Sequence, residues 1–224
     1  MVESLPRVET RLIVRQGNSF SRACAICASR LYHAFVLLAA ATVIGIAAPA
    51  WTAQAAFDHS HSAFDTMLQQ HVVLISDGTS SQVDYAAFQR ERAQLQAYLS
   101  GLAAVTPQEY AAFSKAEQLA FLINAYNAYT IEFILTRYPD IKSIRELGSL
   151  FNNAWKKRLF ALLGEKRTLD EIEHEMIRKP GDFDDPRIHM AVNCASIGCP
   201  ALRPEAYVAP RLDAQLDDAV ERFL

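Results

Sequence analysis

The longest apolar stretch downstream of the N-terminal region covers residues 118–137, where hydrophobic side chains occupy nearly every side of a helix. A capping box of Ser114 and Glu117 precedes this stretch, and Pro139 follows it. A helix without a polar face must be buried. The pattern therefore predicts a helix over residues 114–137 at the centre of a domain.

Other segments carry the caps or the spacing of shorter helices. A helical pattern that starts at residue 83 is expected to end at Gly101, because glycine is common just after a helix. Thr106 followed by proline begins a second helix, and Thr168 with Glu171 forms another capping box. After Pro210, apolar residues recur at helical spacing to the C-terminus. These segments predict a mainly helical protein.

Residues 187–193 show a different period. Ile188, Met190 and Val192 alternate with more polar or smaller residues, which predicts a strand with one apolar face. His189 lies on the opposite face of that strand. The alternation stops after Asn193, where a loop that carries cysteines begins.

A second strand signal lies at residues 155–167, where a short apolar run before Gly164 predicts a strand or small hairpin. Strands and helices that are not regularly alternated indicate an α+β fold. The predicted architecture is a predominantly helical domain around a small β-sheet, with a strand and loop that carry histidine and cysteine.

Polar side chains fall among the apolar positions of two predicted helices. Asn124 and Asn127 share a face, and buried amides need partners, so they either bind the backbone of neighbouring loops or orient a catalytic group. Glu173 falls in an apolar stripe with His174 at its edge. A buried carboxylate also needs a partner, which is either an arginine such as Arg187 or a histidine that it orients.

The N-terminal 55 residues show the pattern of a secretory signal peptide. Two arginines precede the apolar run 34–48, and the cleavage motif Ala53-Gln-Ala55 follows. Cleavage after Ala55 would leave one domain, residues 56–224, in the periplasm or outside the cell. The alternative is an inner-membrane anchor, because residues 31–50 are only just long enough to span a bilayer. Membrane contact is expected only in that case.

The charge argues against one class of partner. The chain has a formal charge of -3, and residues 1–55 carry five arginines and two glutamates, so the mature charge would be -6. A mildly acidic chain without a Lys/Arg block has no general attraction for nucleic acid. No phosphate-binding glycine loop or dinucleotide fingerprint occurs, so no cofactor is expected. The expected substrate or ligand is a small molecule or a peptide.

Histidines and cysteines suggest further sites. His59, His61 and His71 follow the predicted cleavage site without a cysteine or carboxylate cluster that would complete a metal site, so a solvated terminal segment and the start of a helix are expected. Two cysteines, Cys194 and Cys199, remain after the predicted leader is removed. In an oxidising compartment they could close a small disulfide loop.

Three blocks of the chain resemble the domain of unknown function 547 (DUF547) family. They are Phe121-Leu-Ile-Asn-Ala-Tyr-Asn-Ala128, Leu169-Asp-Glu-Ile-Glu-His174 and Asp185-Pro-Arg-Ile-His-Met-Ala-Val-Asn-Cys-Ala-Ser-Ile-Gly-Cys-Pro200. The resemblance covers about residues 64–224 and implies a bacterial, exported member of a family without established biochemistry. Such proteins usually continue with a further strand and helix, so the resemblance also implies a chain truncated at its C-terminus.

A catalytic hypothesis makes the protein a thiol hydrolase or acyltransferase of papain-like or transglutaminase-like organisation. Cys194 would be the nucleophile, activated by His174 or His189 as the base. Glu173 or Asn127 would orient that base.

Two further hypotheses are not catalytic. In one, the chain is a binding or structural domain in which Cys194 and Cys199 form a disulfide. In the other, His174, His189 and the two cysteines bind zinc, although the cysteines lack the close spacing of most structural zinc sites. All three hypotheses stay open at the level of sequence.

Overall fold

A computed structural model describes residues 56–148, 153–196 and 198–224. The predicted signal peptide, residues 1–55, lies outside the described residues. The described part is mainly helical with small two-stranded sheets, so the predicted α+β fold class is confirmed.

The helices and strands follow one another in short steps along the chain. The helices are α1 (Ser62–His71), α2 (Tyr85–Arg90), α3 (Arg92–Ala104), α4 (Pro107–Ala112), α5 (Lys115–Leu135), α6 (Leu169–Glu171, continued by the π-helical Ile172–Ile177) and α7 (Leu212–Phe223). The strands are β1 (Val72–Ile75), β2 (Ser80–Val83), β3 (Phe160–Leu162) and β4 (Glu165–Arg167). Short 3-10 helices lie at Ser76–Gly78, Ile144–Leu147, Ala154–Lys156, Pro186–Met190 and Ala209–Arg211.

Helix α5 is the centre of the hydrophobic core. Ser114 and Glu117 cap its first turn reciprocally, as predicted. Phe121 and Ile123 are 0% exposed and Phe133 is 2% exposed, so the predicted burial of this helix is confirmed. Among the described residues, no helix has the length and hydropathy needed to cross a bilayer.

The strands form two separate antiparallel hairpins. Strand β1 pairs with β2 in the register Val72 to Val83, and β3 pairs with β4 in the register Phe160 to Arg167. The second hairpin confirms the strand signal at residues 155–167. In the turn of the first, Gly78 has a φ of +92°, and a Cβ there would collide with the guanidinium of Arg222. The turn therefore packs closely against the end of α7.

Helix α3 continues beyond the predicted stop at Gly101 and ends at Ala104. An interior glycine costs a helix about 1 kcal/mol relative to alanine. Leu102, the residue directly after Gly101, is fully buried. Its burial stabilises the helix by more than that, on the order of 2 kcal/mol. Tertiary packing thus outweighs the local preference, and the predicted boundary is wrong by three residues.

The strand predicted at residues 187–193 is wrong. The chain forms a 3-10 helix at Pro186–Met190, where the side chain of Asp185 accepts a hydrogen bond from Arg187 N–H at 2.9 Å. Proline at the first helical position lacks the N–H that would have no partner there. His189 therefore lies on a helical turn, and the predicted strand and loop are a 3-10 helix and a loop.

Helix α7 packs on this 3-10 helix through apolar contacts and charge. Leu216 and Ala219 are buried, which confirms the amphipathic helix predicted at the C-terminus. Ion pairs join the same two elements, because the guanidinium of Arg187 on the 3-10 helix lies 2.7 Å from Asp213 and 2.5 Å from Asp217 on α7. Arg187 is therefore bound to α7 and not to Glu173.

Candidate functional site

Two asparagines on α5 hold distant parts of the chain by their backbones. Asn127 donates to the carbonyl of Ala191 at 3.0 Å and accepts from Asn193 N–H at 2.8 Å. Asn124 makes the same pair of bonds with Tyr207, at 2.7 and 3.0 Å. The expectation that these amides bind the backbone of neighbouring loops is confirmed. A catalytic role for Asn127 stays a prediction.

Asn193 extends this support into the cysteine loop. Its side-chain amide donates to the carbonyl of Pro200 at 2.7 Å, and its side-chain oxygen accepts from Ala195 N–H at 3.0 Å. Its own N–H is bound to Asn127. Both ends of the loop are thus linked, through one residue, to the buried helix.

Cys194 and Cys199 form a disulfide with their Cα atoms 6.1 Å apart, within the usual range for such bonds. In this state the sulfur of Cys194 is not a thiolate. Among the described residues, no group of three or more His, Cys, Asp or Glu side chains is placed to hold a metal ion. The geometry therefore favours the disulfide hypothesis over the zinc hypothesis.

Glu173 lies on the π-helical continuation of α6 and is mostly buried, with 18% of its side chain exposed. Its carboxylate lies 2.6 Å from the guanidinium of Arg178. The predicted need for a partner is met by an arginine, but the residue is Arg178 and not Arg187. Both partners lie on the same short segment, which follows the Thr168 capping box.

His189 shares this electrostatic environment. Although the residue is exposed, desolvation of its ring lowers the pKa of His189 below the ordinary value. The nearby Arg178 and His174 lower that pKa further, whereas Glu173 raises it. Glu173 and His174 thus lie close enough to His189 to act on its pKa. Their catalytic roles stay a prediction.

Cys194 makes no hydrogen bond to either histidine ring within the described ranges. His174 instead lies 3.8 Å from Asp170 on an exposed surface. No contact observed among the described residues therefore supports direct activation of Cys194 by His174 or His189. The role of Cys194 as a nucleophile stays a prediction.

Tyr126 reaches the same region from α5. The residue is fully buried, and among the described residues its hydroxyl has no partner of standard hydrogen-bond geometry. Burial raises the pKa of Tyr126, and the neighbouring carboxylate of Glu173 raises it further. Sequence reasoning treated Tyr126 as a core residue only. Because Tyr126 lies among apolar residues on every side of α5, the sequence pattern gives no sign that its hydroxyl has a separate role.

The disulfide loop forms one wall of a cleft of about 380 Å³, here called the disulfide cleft. The opposite wall is the first hairpin, which Leu202 N–H ties to the hydroxyl of Ser81 at 2.8 Å. None of the described side chains that line the cleft is charged. They belong to Ile75, Ser80, Ser81, Val83, Tyr85, Asn193, Ala195, Ser196, Gly198, Cys199, Pro200 and Ala201.

A neighbouring cleft of about 440 Å³ shares Val83 and Tyr85 with the disulfide cleft. It is more polar, because His71 and Asp84 line it. Burial raises the pKa of Tyr85 to about 12, so the shared wall is neutral. The two clefts together offer an elongated surface beside strand β2.

His61 is a residue whose environment the sequence did not predict. It is 2% exposed, and its Nδ1 lies 2.7 Å from the hydroxyl of Tyr98. Burial lowers the pKa of His61 to about 4. The expectation of a solvated segment is wrong for this residue. The flanking Phe57 and Phe64 were the available signal, since aromatic side chains on both sides favour burial.

These observations define a mainly helical α+β domain with a disulfide-closed loop beside a cleft. A family model described as "Protein of unknown function, DUF547" matches residues 110–224, and the chain belongs to this family. The match includes α5, the disulfide loop and α7, whereas His61 precedes it. No curated protein and no solved structure matches the chain.

Proposed function

We propose that this domain, with the disulfide formed, is a non-catalytic binding domain that holds a neutral, extended peptide in the disulfide cleft. The observation that carries the proposal is that the Cys194–Cys199 loop forms a wall of that cleft. A disulfide removes the thiolate that nucleophilic chemistry needs.

The support behind the loop favours binding, because a wall that is already ordered loses little conformational entropy when a ligand arrives. Asn193 bonds both ends of the loop, and Asn127 ties Asn193 to α5. The cleft wall therefore rests on the most buried helix of the described chain.

The lining indicates the chemistry of the ligand. Transferring a charged group into an uncharged cleft is unfavourable unless a partner is present, and the lining residues that the structure describes are all uncharged. Peptide amides are neutral and can bond with the hydroxyls of Ser80, Ser81 and Ser196. The neighbouring cleft beyond Val83 and Tyr85 gives an extended chain room to continue.

The disulfide also supports a location. Such bonds persist mainly in oxidising compartments, which agrees with the signal-peptide pattern of residues 1–55. We therefore place the domain in the periplasm or outside the cell as part of the proposal. N-terminal sequencing of the cell-derived protein tests this, with a start at Ala56 as the expected result.

Isotope-edited NMR tests the binding. The probes are acetylated and amidated tetrapeptides composed of Ala, Ser and Val, added to ¹⁵N-labelled oxidised protein. Saturable shifts are expected at Ser80, Ser81 and Ser196. Ser196→Trp should abolish them, whereas Ser100→Trp, on an exposed face of α3, should not. The absence of saturable shifts with every peptide, or the same shifts in Ser196→Trp, contradicts the proposal.

A second candidate function applies to the reduced protein. Glu173 and His174 act on the pKa of His189, which lies close to the segment that leads to Cys194, and Asn127 fixes that segment. Reduction would free Cys194 for a thiol hydrolase or acyltransferase reaction. Turnover of p-nitrophenyl acetate that requires reduction and Cys194, but survives Cys199→Ser, would favour this candidate over a non-catalytic domain.

A further inference from the structure

A second cavity, here called the His61 cavity, lies between the start of the described chain, α1, α3 and the first turn of α4. Its volume is about 230 Å³. It shares no residue with the disulfide cleft and precedes the part of the chain that the family model matches. The side chains that matter most are Phe57, Asp58, His61, Tyr98 and Glu109, with Gly101 at the rim.

One ring nitrogen of His61 has no partner among the described residues. Nδ1 bonds with the hydroxyl of Tyr98 at 2.7 Å, whereas Nε2 makes no hydrogen bond to any described residue. The residue is 2% exposed, and it lines the cavity. A ligand in the cavity can therefore bond with Nε2.

The charges around the cavity have one sign. Asp58 and Glu109 line it, and none of the described lining residues is lysine or arginine. Hydrogen bonds from Ser60 and Ser62 hold the pKa of Asp58 well below its usual range. Hydrogen bonds from Thr106 lower the pKa of Glu109 as well. Both carboxylates are thus ionised at neutral pH.

The neutral ring of His61 completes a set of acceptors. Its pKa of about 4 keeps it uncharged at neutral pH. When Nδ1–H donates to the hydroxyl of Tyr98, Nε2 is an acceptor. The aromatic side chains of Phe57 and Tyr98 also line the cavity.

We propose that the His61 cavity binds a small primary alkylammonium cation. Its N–H groups would donate to Nε2 of His61 and to the carboxylates of Asp58 and Glu109. Its alkyl part would lie against Phe57 and the small side chains of the cavity. Drug-sized ligands need larger cavities, of roughly 300–1,000 Å³, so this one suits a ligand of few heavy atoms.

Calorimetric and NMR titrations of the oxidised chain with butylammonium chloride test the proposal. Butanol and sodium butyrate, at matched ionic strength, keep the alkyl body and change only the head group. Saturable binding is expected for butylammonium, with shifts at His61, Tyr98 and Gly101. Affinity for the other two compounds should be at least about tenfold lower. Equal affinity for butanol would overturn the assignment of a cation site.

Gly101 offers a variant that blocks the cavity without breaking the fold. A Cβ added there meets no atom within 4 Å, and methionine favours a helix more than glycine does. Gly101→Met should therefore fold normally and lose butylammonium affinity at least about tenfold. Unchanged affinity in a folded Gly101→Met protein would overturn the proposal.

A charge variant tests the carboxylate. Glu109→Gln keeps a residue that can complete the capping box of α4, but it removes one negative charge. We expect a several-fold loss of butylammonium affinity, whereas Glu221→Gln, on an exposed face of α7, should have none. Equal effects of the two variants would mean that only the overall charge of the chain matters, and would contradict a defined site.

Discussion

The disulfide cleft and the His61 cavity differ in how their polar groups are used. In the disulfide cleft, Asn193 forms hydrogen bonds with Asn127, Ala195 and Pro200. The wall that it supports is therefore ordered, and it is uncharged. In the His61 cavity, Nε2 of His61 and two carboxylates face the space. The difference teaches that an uncharged lining builds a neutral surface, whereas carboxylates beside a neutral imidazole build one that suits a cation.

Asn127→Ala should have the largest effect on this contrast. It leaves the carbonyl of Ala191 and the N–H of Asn193 without partners, which should lower the free energy of unfolding by roughly 4 kcal/mol. Urea denaturation measures the loss. Peptide binding in the disulfide cleft should weaken, while butylammonium binding in the His61 cavity should persist in the folded fraction.

Asn153→Ala is the matched control for this variant. Among the described residues, the exposed side chain of Asn153 makes one hydrogen bond, which it accepts from Trp155 N–H at 3.2 Å. Its loss should cost about 1 kcal/mol or less. A similar cost for both substitutions would show that Asn127 does not support the disulfide loop in the way described.

The next effect is a pH dependence that originates at the His61 cavity. The pKa of His61 is lowered from 6.5 to about 4 in the folded protein, so the unfolded chain binds the proton more readily. Stability from this group is complete above pH 6.5 and is lost as pH falls towards 4. The maximum loss is about 3 kcal/mol. Urea titrations at several pH values measure it.

His61→Gln removes the titrating group and keeps a polar side chain beside Tyr98. The stability of this variant should fall much less between pH 6.5 and pH 4 than that of the parent chain. A slope as steep as the parent's would show that another group causes the pH dependence.

Replacing both loop cysteines should have a smaller effect. Closing a loop of five residues removes little entropy from the unfolded chain, so Cys194→Ser with Cys199→Ser should cost about 2 kcal/mol. Thermal unfolding measures this cost. The double variant should bind the tetrapeptides more weakly and butylammonium normally. A loss of affinity for both the tetrapeptides and butylammonium would indicate that the two sites are coupled.

Glu173→Gln should have the smallest effect, because Glu173 lines neither of the two sites. It loses a partly buried pair with Arg178, worth about 1 kcal/mol. The exposed neighbour Glu175 is the control, and Glu175→Gln should change stability by less than about 0.5 kcal/mol. Peptide and butylammonium affinities should be unchanged. A loss at either site would extend that site to Glu173.

The parts of the fold that sequence predicts are those with local causes. Helix α5 has its start in the capping box of Ser114 and Glu117, and its burial follows from an apolar surface on all sides. The cap at Thr168 is equally local. Asp185 followed by Pro186 is also a local signal, since this pair is typical of the start of a helix. The strand prediction instead followed the alternation of only three apolar residues and is therefore wrong.

The candidate sites depend on contacts between remote residues. His61 and Tyr98 are 37 positions apart, and Asn127 and Asn193 are 66 apart. No period or spacing predicts such pairs. The disulfide was an open alternative from spacing and compartment, and geometry favours it. The partner of Glu173 was misassigned because Arg178 and Arg187 satisfy the same electrostatic need and only packing distinguishes them.

The asparagines of α5 also have a consequence for synthesis of the chain. Their partners at Ala191 and Tyr207 lie 64 and 83 residues downstream, so the ribosome completes this apolar helix long before its amides are satisfied. During that interval α5 exposes surface that favours aggregation. A nascent chain interrupted before Ala191 would keep that exposure permanently, which makes chaperone binding most valuable in the interval between α5 and the cysteine loop.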